Sequence, residues 1–345
     1  MAKRNFSMIA YFNKMAENWT PLLTFRGSTL AEFEDWQAKA SEKFFELLGD
    51  FPEPVDPEPE VIFSVEEPSG LIRERVIFDS EEHMSVPCIV LRHKDMPADG
   101  SNPAILCSHG HGPYGKEPVA GNRTTPDMAA SITQHNYNYG EIMALDGYLT
   151  ISPDLRVFGE RADGNNPYPG RDKCNVHFLR GAMFGVYTLM LNIWDMKCCV
   201  DSLQSRPEVD PDRIGMMGLS QGGTMTTFAT AAEPRIKCAD IIGYLNPWQG
   251  FAINRANWCG SQMVPQIYKY FDVHDIAGLI APRPLLIEMG VYDTCFFIED
   301  QLKGFEALKK IYAAAGAEEY LWADIHPGEH MFANNKAHEF FRKYL

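Results

Sequence analysis

The chain has 345 residues, 45% of them hydrophobic and 22% charged, the make-up of a globular protein long enough for one large α/β core with additions. A formal net charge of −15 excludes nucleic acid as a natural partner, because phosphate contacts need clustered Lys and Arg, and the acidity reads as solubility. No run approaches the roughly 18 apolar residues that span a bilayer, so no membrane role is expected.

Lys3 and Arg4 imitate the start of a signal peptide, but Asn13 and Lys14 interrupt the apolar stretch that follows, which is too short for one. Residues 29–48 then read as a helix. Ser28 or Thr29 can cap it, Glu32 and Glu34 favour its first turn, and Leu30, Phe33, Trp36, Ala40 and Phe44 recur at helical spacing up to a C-cap at Gly49. The proline-rich run from Phe51 to Pro59 is an extended strap. These features divide the chain into an N-terminal helical extension, residues 1–60, and a main body, residues 61–345.

Two strands near Ile72–Phe78 and Ser85–Arg92 suggest an antiparallel start. Beyond residue 103, short β-rich runs alternate with helical stretches: Ala104–Cys107, Tyr148–Ser152, Ile214–Gly218, Ala239–Tyr244, Leu285–Glu288 and Tyr320–Ala323. That alternation predicts a mostly parallel sheet flanked by helices, with the long apolar stretch Phe178–Ser205 packed beneath it. The eight cysteines (Cys88, Cys107, Cys174, Cys198, Cys199, Cys238, Cys259 and Cys295) show no CxxC pair, and several lie in apolar runs, which suits reduced thiols in a cytoplasm.

Gly218-Leu219-Ser220-Gln221-Gly222 lies between a strand and the helical Thr224–Ala232. A strand-to-helix turn tight enough to expose a serine requires small residues at both flanking positions, and the helix N-terminus favours developing negative charge. Ser220 is therefore the candidate nucleophile, and it needs a base to take its proton. Beyond the helical region downstream, three histidines follow: His330 in the loop after the last strand, His326 as its competitor at the strand end, and His338 in the terminal helix. His330 is preferred because a Gly-containing loop can reach back over the sheet. Asp293, in a loop after Gly290, is the candidate acid that would orient the imidazole. Glu288 is the alternative but falls inside a strand, and Asp324 is close to His330 in the chain. The order serine, acid, histidine is one of the established triad arrangements.

Two main-chain N–H groups are candidates to hold an oxyanion: Gln221, after the nucleophile, and His111, in Ser108-His109-Gly110-His111-Gly112 after an early strand. The His109/His111 pair also admits a zinc reading, with Asp154 or Glu160 as a remote third ligand, but no ligand stands nearby at typical spacing and no metal is expected. Arg156, Glu160 and Arg161 follow a strand's C-terminal end, where they could bind a polar substrate or order a loop. Trp248, Trp258 and Phe296 could line a pocket or simply fill the core.

Together these segments, with Pro153–Arg161, Ala281–Leu286 and Gly328-Glu329-His330, resemble the α/β-hydrolase superfamily, and within it the dienelactone-hydrolase-like and acetyl xylan esterase-like branch. The resemblance runs from about residue 70 to 345. It implies an eight-stranded, mostly parallel sheet with one early antiparallel strand, triad roles for Ser220, Asp293 and His330, and oxyanion donors at His111 and Gln221. Dienelactone hydrolases use a cysteine nucleophile, so Ser220 turns the expectation towards ordinary ester hydrolysis. The expected activity is cofactor-free hydrolysis of short-chain or acetylated-carbohydrate esters through an acyl-enzyme. The rivals are a prolyl-oligopeptidase-like peptidase, an acyl transferase and a non-catalytic binding protein on the same fold. The expected partner is a small-molecule ester, with a homo-oligomer left open.

Overall fold

The computed structural model describes residues 4–163 and 170–345, so Lys3 of the basic N-terminus lies outside the described residues. One sheet organises the chain. Its strands are β1 (Glu60–Glu66), β2 (Leu71–Glu81), β3 (Met84–His93), β4 (Asn102–Ser108), β5 (Leu149–Pro153), β6 (Val209–Leu219), β7 (Ile236–Ile242), β8 (Leu285–Gly290) and β9 (Leu321–His326). They stand in the order β1-β2-β3-β5-β4-β6-β7-β8-β9. The pairings β1·β2, β2·β3 and β3·β5 are antiparallel, and those from β5 through β9 are parallel.

The sheet thus has nine strands where eight were expected. The addition is β1, exposed along its whole length and paired to β2 at the edge. Without it, eight strands remain, of which only β3 opposes the rest. β1 escapes sequence reading because it follows the proline strap and buries none of its residues, so no apolar alternation tied to a core marks it.

The parallel strands are buried on both faces, as parallel strands covered by helices must be; all five residues of β5 and all six of β8 are buried. Successive side chains go to opposite layers. Leu106, Ile151, Met216, Ile241 and Ile287 join one core, under the helices Leu30–Leu48, Thr188–Gln204 and Ile298–Ala314. Ile105, Cys107, Met217, Ile242 and Leu286 join the other, under Tyr139–Leu145 and Ala337–Tyr344.

The helix Leu30–Leu48 starts at a capping box, Thr29 with Glu32, and ends at Gly49, whose φ of +81° suits glycine. Phe33, Trp36, Ala40, Phe44 and Leu48 form its buried stripe, while Leu30 stays exposed. The Phe44 ring lies 6.0 Å from that of Phe228, on the helix that follows Ser220. The stretch Phe178–Ser205 proves to be the end of one helix, Lys173–Ala182, and the whole of another, Thr188–Gln204. Gly185, at φ +76°, lies in the turn between them. The helix Met8–Ala16, capped by Ser7, went unread. No described helix is long and apolar enough to cross a membrane.

Candidate active site

β6 delivers Ser220. The strand ends at Leu219, the helix Gln221–Ala232 begins one residue later, and Ser220 between them has φ +65° and ψ −117°. A non-glycine residue in that region is strained, and such strain persists where the surroundings over-determine it. Here the Ser220 N–H donates to Ile242 O of β7 at 3.0 Å. A Cβ on Gly222 would stand 2.1 Å from Ser108 O, and one on Gly218 would stand 2.6 Å from the same oxygen. Only glycine lets the elbow close against the end of β4.

β8 and β9 deliver the other two groups. Val291 N–H donates to His326 O and Tyr292 N–H to Gly328 O, both at 2.9 Å, so the loops leaving the two strands zip together. Gly290 permits this approach, since a Cβ there would meet Glu329 O at 2.3 Å. The result is a 2.8 Å hydrogen bond from His330 Nδ1 to Asp293 Oδ2. Asp293 is itself fixed, its Oδ1 accepting from the N–H groups of Cys295 (2.7 Å) and Phe296 (2.8 Å). The Phe296 ring stacks on the His330 imidazole at 5.5 Å. With Nδ1 donating to the carboxylate, Nε2 carries the free lone pair that a general base needs.

Ser220, His330 and His111 line two adjoining clefts of about 260 and 410 Å³. The first runs past Gly110, Tyr114 and Tyr137, the second past Asp172, Trp258 and Gln262. Among the described residues no hydrogen bond joins Ser220 to His330, a contact that often tightens only around substrate. Nor does any described acceptor take the main-chain N–H of His111 or Gln221.

The remaining sequence candidates divide. His326 has its imidazole held towards the neutral form by burial and makes no bond to Asp293, and His338, in the terminal helix, pairs with Asp146 at the end of Tyr139–Leu145. His109 cannot pair with His111 as a metal chelate. Its Nδ1 donates to Gly110 O at 2.7 Å, its Nε2 accepts from Leu155 N–H at 3.0 Å, and burial lowers its pKa. Asp154, once a possible remote ligand, accepts from Lys116 Nζ at 2.6 Å.

Arg156 and Glu160 are not brought to either cleft. Arg156 donates twice to Asp195, at 2.9 Å each, and pairs with Glu81 at 2.6 Å, while Arg161 adds a third donor to Asp195 at 2.7 Å. Burial alone would raise the Asp195 pKa, but the two arginines outweigh it and hold the carboxyl below its ordinary range. Glu160 pairs with Lys116 and Arg75. Both side chains are taken up by ion pairs around the loop after β5. Trp258 and Phe296 line the larger cleft, but Trp248 is buried behind them, its ring stacked on Phe251.

Several contributors carried no sequence signal. Tyr137 OH accepts from Gly110 N–H at 2.6 Å and steadies the loop that bears His111. His135 Nδ1 donates to His330 O at 2.8 Å. Glu288, read only as a rival acid, accepts from Ala333 N–H at 2.8 Å and so anchors the histidine loop from below. Each acts through a contact between residues remote in sequence. In the larger cleft, contact with Cys174 and then His111 outweighs burial and holds the Cys259 thiol below its ordinary pKa.

A sheet of this order, with a strained serine elbow after its central strand and loops converging over its C-terminal edge, defines the α/β-hydrolase class. More narrowly, the chain belongs to the abhydrolase family, whose profile matches residues 2–326. YtaP of Bacillus subtilis (strain 168), named as a candidate hydrolase, is 29% identical over 291 residues, covering 81% of this chain and 89% of that one. Two solved structures share the fold. One is a candidate acetyl xylan esterase of Bacteroides fragilis NCTC 9343, with TM-score 0.74, 19% identity, and coverage of 94% of this chain and 83% of that one. The other is a glucuronoyl esterase from Solibacter usitatus, with TM-score 0.66, 15% identity, and coverage of 90% and 93%.

Proposed function

We propose that this protein is a serine esterase that cleaves short-chain carboxylic esters, acetylated carbohydrates among them, through an acyl-enzyme. The observation that carries the reading is the His330–Asp293 hydrogen bond in a cleft shared with a strained, accessible Ser220. His330 Nε2 takes the Ser220 proton as Oγ attacks the ester carbonyl. The free N–H groups of Gln221 and His111 receive the oxyanion, a contribution typically of about 10²–10³ in rate per donor. Imidazolium charge is offset by Asp293, and His330 then gives its proton to the leaving alcohol. Water, activated by the same imidazole, releases the acid. Every step uses side chains or main-chain groups of this chain, so the reading invokes no cofactor.

Polar groups at Asp172, Asn175 and Gln262, beside the Trp258 ring, suit a hydroxylated alcohol such as a sugar. The esterases among the structural relatives support the same class. Eight free cysteines favour a reducing compartment such as the cytoplasm.

The test is a panel of esters of increasing acyl length, acetylated sugars included, given to the wild type and to Ser220→Ala. Turnover of the short esters should fall by at least about 10³-fold in the variant. Equal turnover by the two proteins would refute the reading.

A further inference from the structure

One imidazole and two thiols meet beside the larger cleft, which His111 and Cys259 line and behind which Cys174 is buried. His111 comes from the loop after β4, Cys174 from the first turn of the helix Lys173–Ala182, and Cys259 from the segment after the π-helical turn Gln249–Asn254. One ligand atom from each lies within 4.8 Å of the other two. Cys174 Sγ is 3.6 Å from His111 Nε2. Tetrahedral zinc, with Zn–S about 2.3 Å and Zn–N about 2.0–2.1 Å, sets an S···N edge of about 3.5–3.6 Å. The pair already stands at the spacing a shared ion requires.

The two thiols also belong to one braced unit. Gly260 N–H, next to Cys259, donates to Asn175 Oδ1, next to Cys174, at 2.8 Å. The packing there leaves no room for a side chain, since a Cβ on Gly260 would stand 2.3 Å from Phe178 Cβ and 2.9 Å from Cys174 O. The His111 ring rests edge-on against Phe158, with centroids 5.1 Å apart. Neither thiol has a task in the acyl transfer described above.

We propose that His111, Cys174 and Cys259 form a binding site for a thiophilic divalent cation of the zinc type, with its fourth position open to the cleft lined by Ser220 and His330. Two thiolates and an imidazole select such an ion over magnesium or calcium, which favour oxygen ligands. On binding, each thiol releases one proton to solvent and each sulfur forms one bond to the ion, while His111 binds through its neutral Nε2. A disulfide would use the same two sulfurs, but it leaves the placement of the imidazole without a purpose. An ion there narrows the cleft beside Ser220 and holds the His111 side chain fixed, so it should slow ester turnover. That consequence rests on the esterase reading; the binding does not.

The experiment is a titration of the reduced, chelator-treated full chain with Zn²⁺ against a chromophoric chelator, repeated with Cd²⁺ while following thiolate-to-metal charge transfer in the ultraviolet. One ion per chain should bind, with a cadmium–thiolate band. Cys174→Ser and Cys259→Ser should each lose the band's full intensity and weaken zinc binding by at least about tenfold, as should His111→Ala. Circular dichroism identifies any variant that fails to fold, and the remaining variants then decide. The proposal is overturned if no ion binds, or if folded Ser variants bind zinc as tightly as wild type. It is equally overturned if the native chain carries a Cys174–Cys259 disulfide and, once reduced, takes up no metal. Because no ester is present, failure of the esterase reading leaves this result untouched.

Discussion

The chemistry of the site is concentrated in a few residues whose backbones are as constrained as their side chains. Ser220 holds a positive φ because Gly218 and Gly222 clear the space against Ser108, and both glycines were legible as neighbours of the serine. His330 and Asp293 were legible too, from their loop positions and chain order, though only the structure brings them to 2.8 Å. Tyr137 was not legible: nothing in Tyr137-Asn138-Tyr139 tells a reader that one hydroxyl will accept from Gly110 N–H. Its removal should matter. Tyr137→Phe leaves that buried N–H without an acceptor, at a cost of about 1–2 kcal/mol that should fall on the placement of the His111 donor. Steady-state kinetics should therefore give kcat lowered by about 5–30-fold with KM little changed. An equal loss carried entirely by KM would place Tyr137 in ground-state binding instead.

At the level of elements, the parallel strands were read well because each is a short β-rich run between helical stretches, and their ends fell within a few residues of the structure. The edge strand β1 and the helix Met8–Ala16 were not, since most of their side chains face outwards and follow no buried face. The strands also hide a feature that pattern reading passes over. Asp240 on β7, Glu288 on β8 and Asp324 on β9 are buried acids on successive strands. Burial first, and then the neighbouring acids, pushes Asp240 well above the carboxylate range, and burial pushes Glu288 up to about 8. A folded-state pKa raised from 4.5 to about 8 means the native state holds the proton more tightly than the unfolded chain. The associated stability is complete below about pH 4.5 and drains away as the pH rises towards 8. Glu288→Gln keeps an oxygen for Ala333 N–H and cannot ionise. Melting temperatures measured from pH 5 to 9 should fall less steeply with pH in the variant than in the wild type. Parallel curves would show that Glu288 does not titrate in that range.

On the scale of the whole molecule, the N-terminal extension is an integral part of the hydrolase core. The stripe from Phe33 to Leu48 lies in the same apolar cluster as the central strands, Trp36 Nε1–H donates to Leu23 O at 2.6 Å, and Gln37 Nε2 donates to Ala281 O at 2.6 Å. The sequence disclosed the helix and its apolar face but not its berth, because periodicity identifies a face without naming what covers it. Phe44 is fully buried against Phe228, so Phe44→Ala should cost about 3–5 kcal/mol in denaturant unfolding. A loss below about 1 kcal/mol would mean the extension is dispensable to the core. The same packing supports the helix behind Ser220, which links the extension to the elbow on which the functional reading depends. That reading is tested most directly by labelling the folded protein with a fluorophosphonate and locating the adduct by peptide mass spectrometry. The adduct is predicted on Ser220, and labelling should be nearly abolished in His330→Ala. An adduct on another residue, or undiminished labelling of Ser220 without His330, would contradict it.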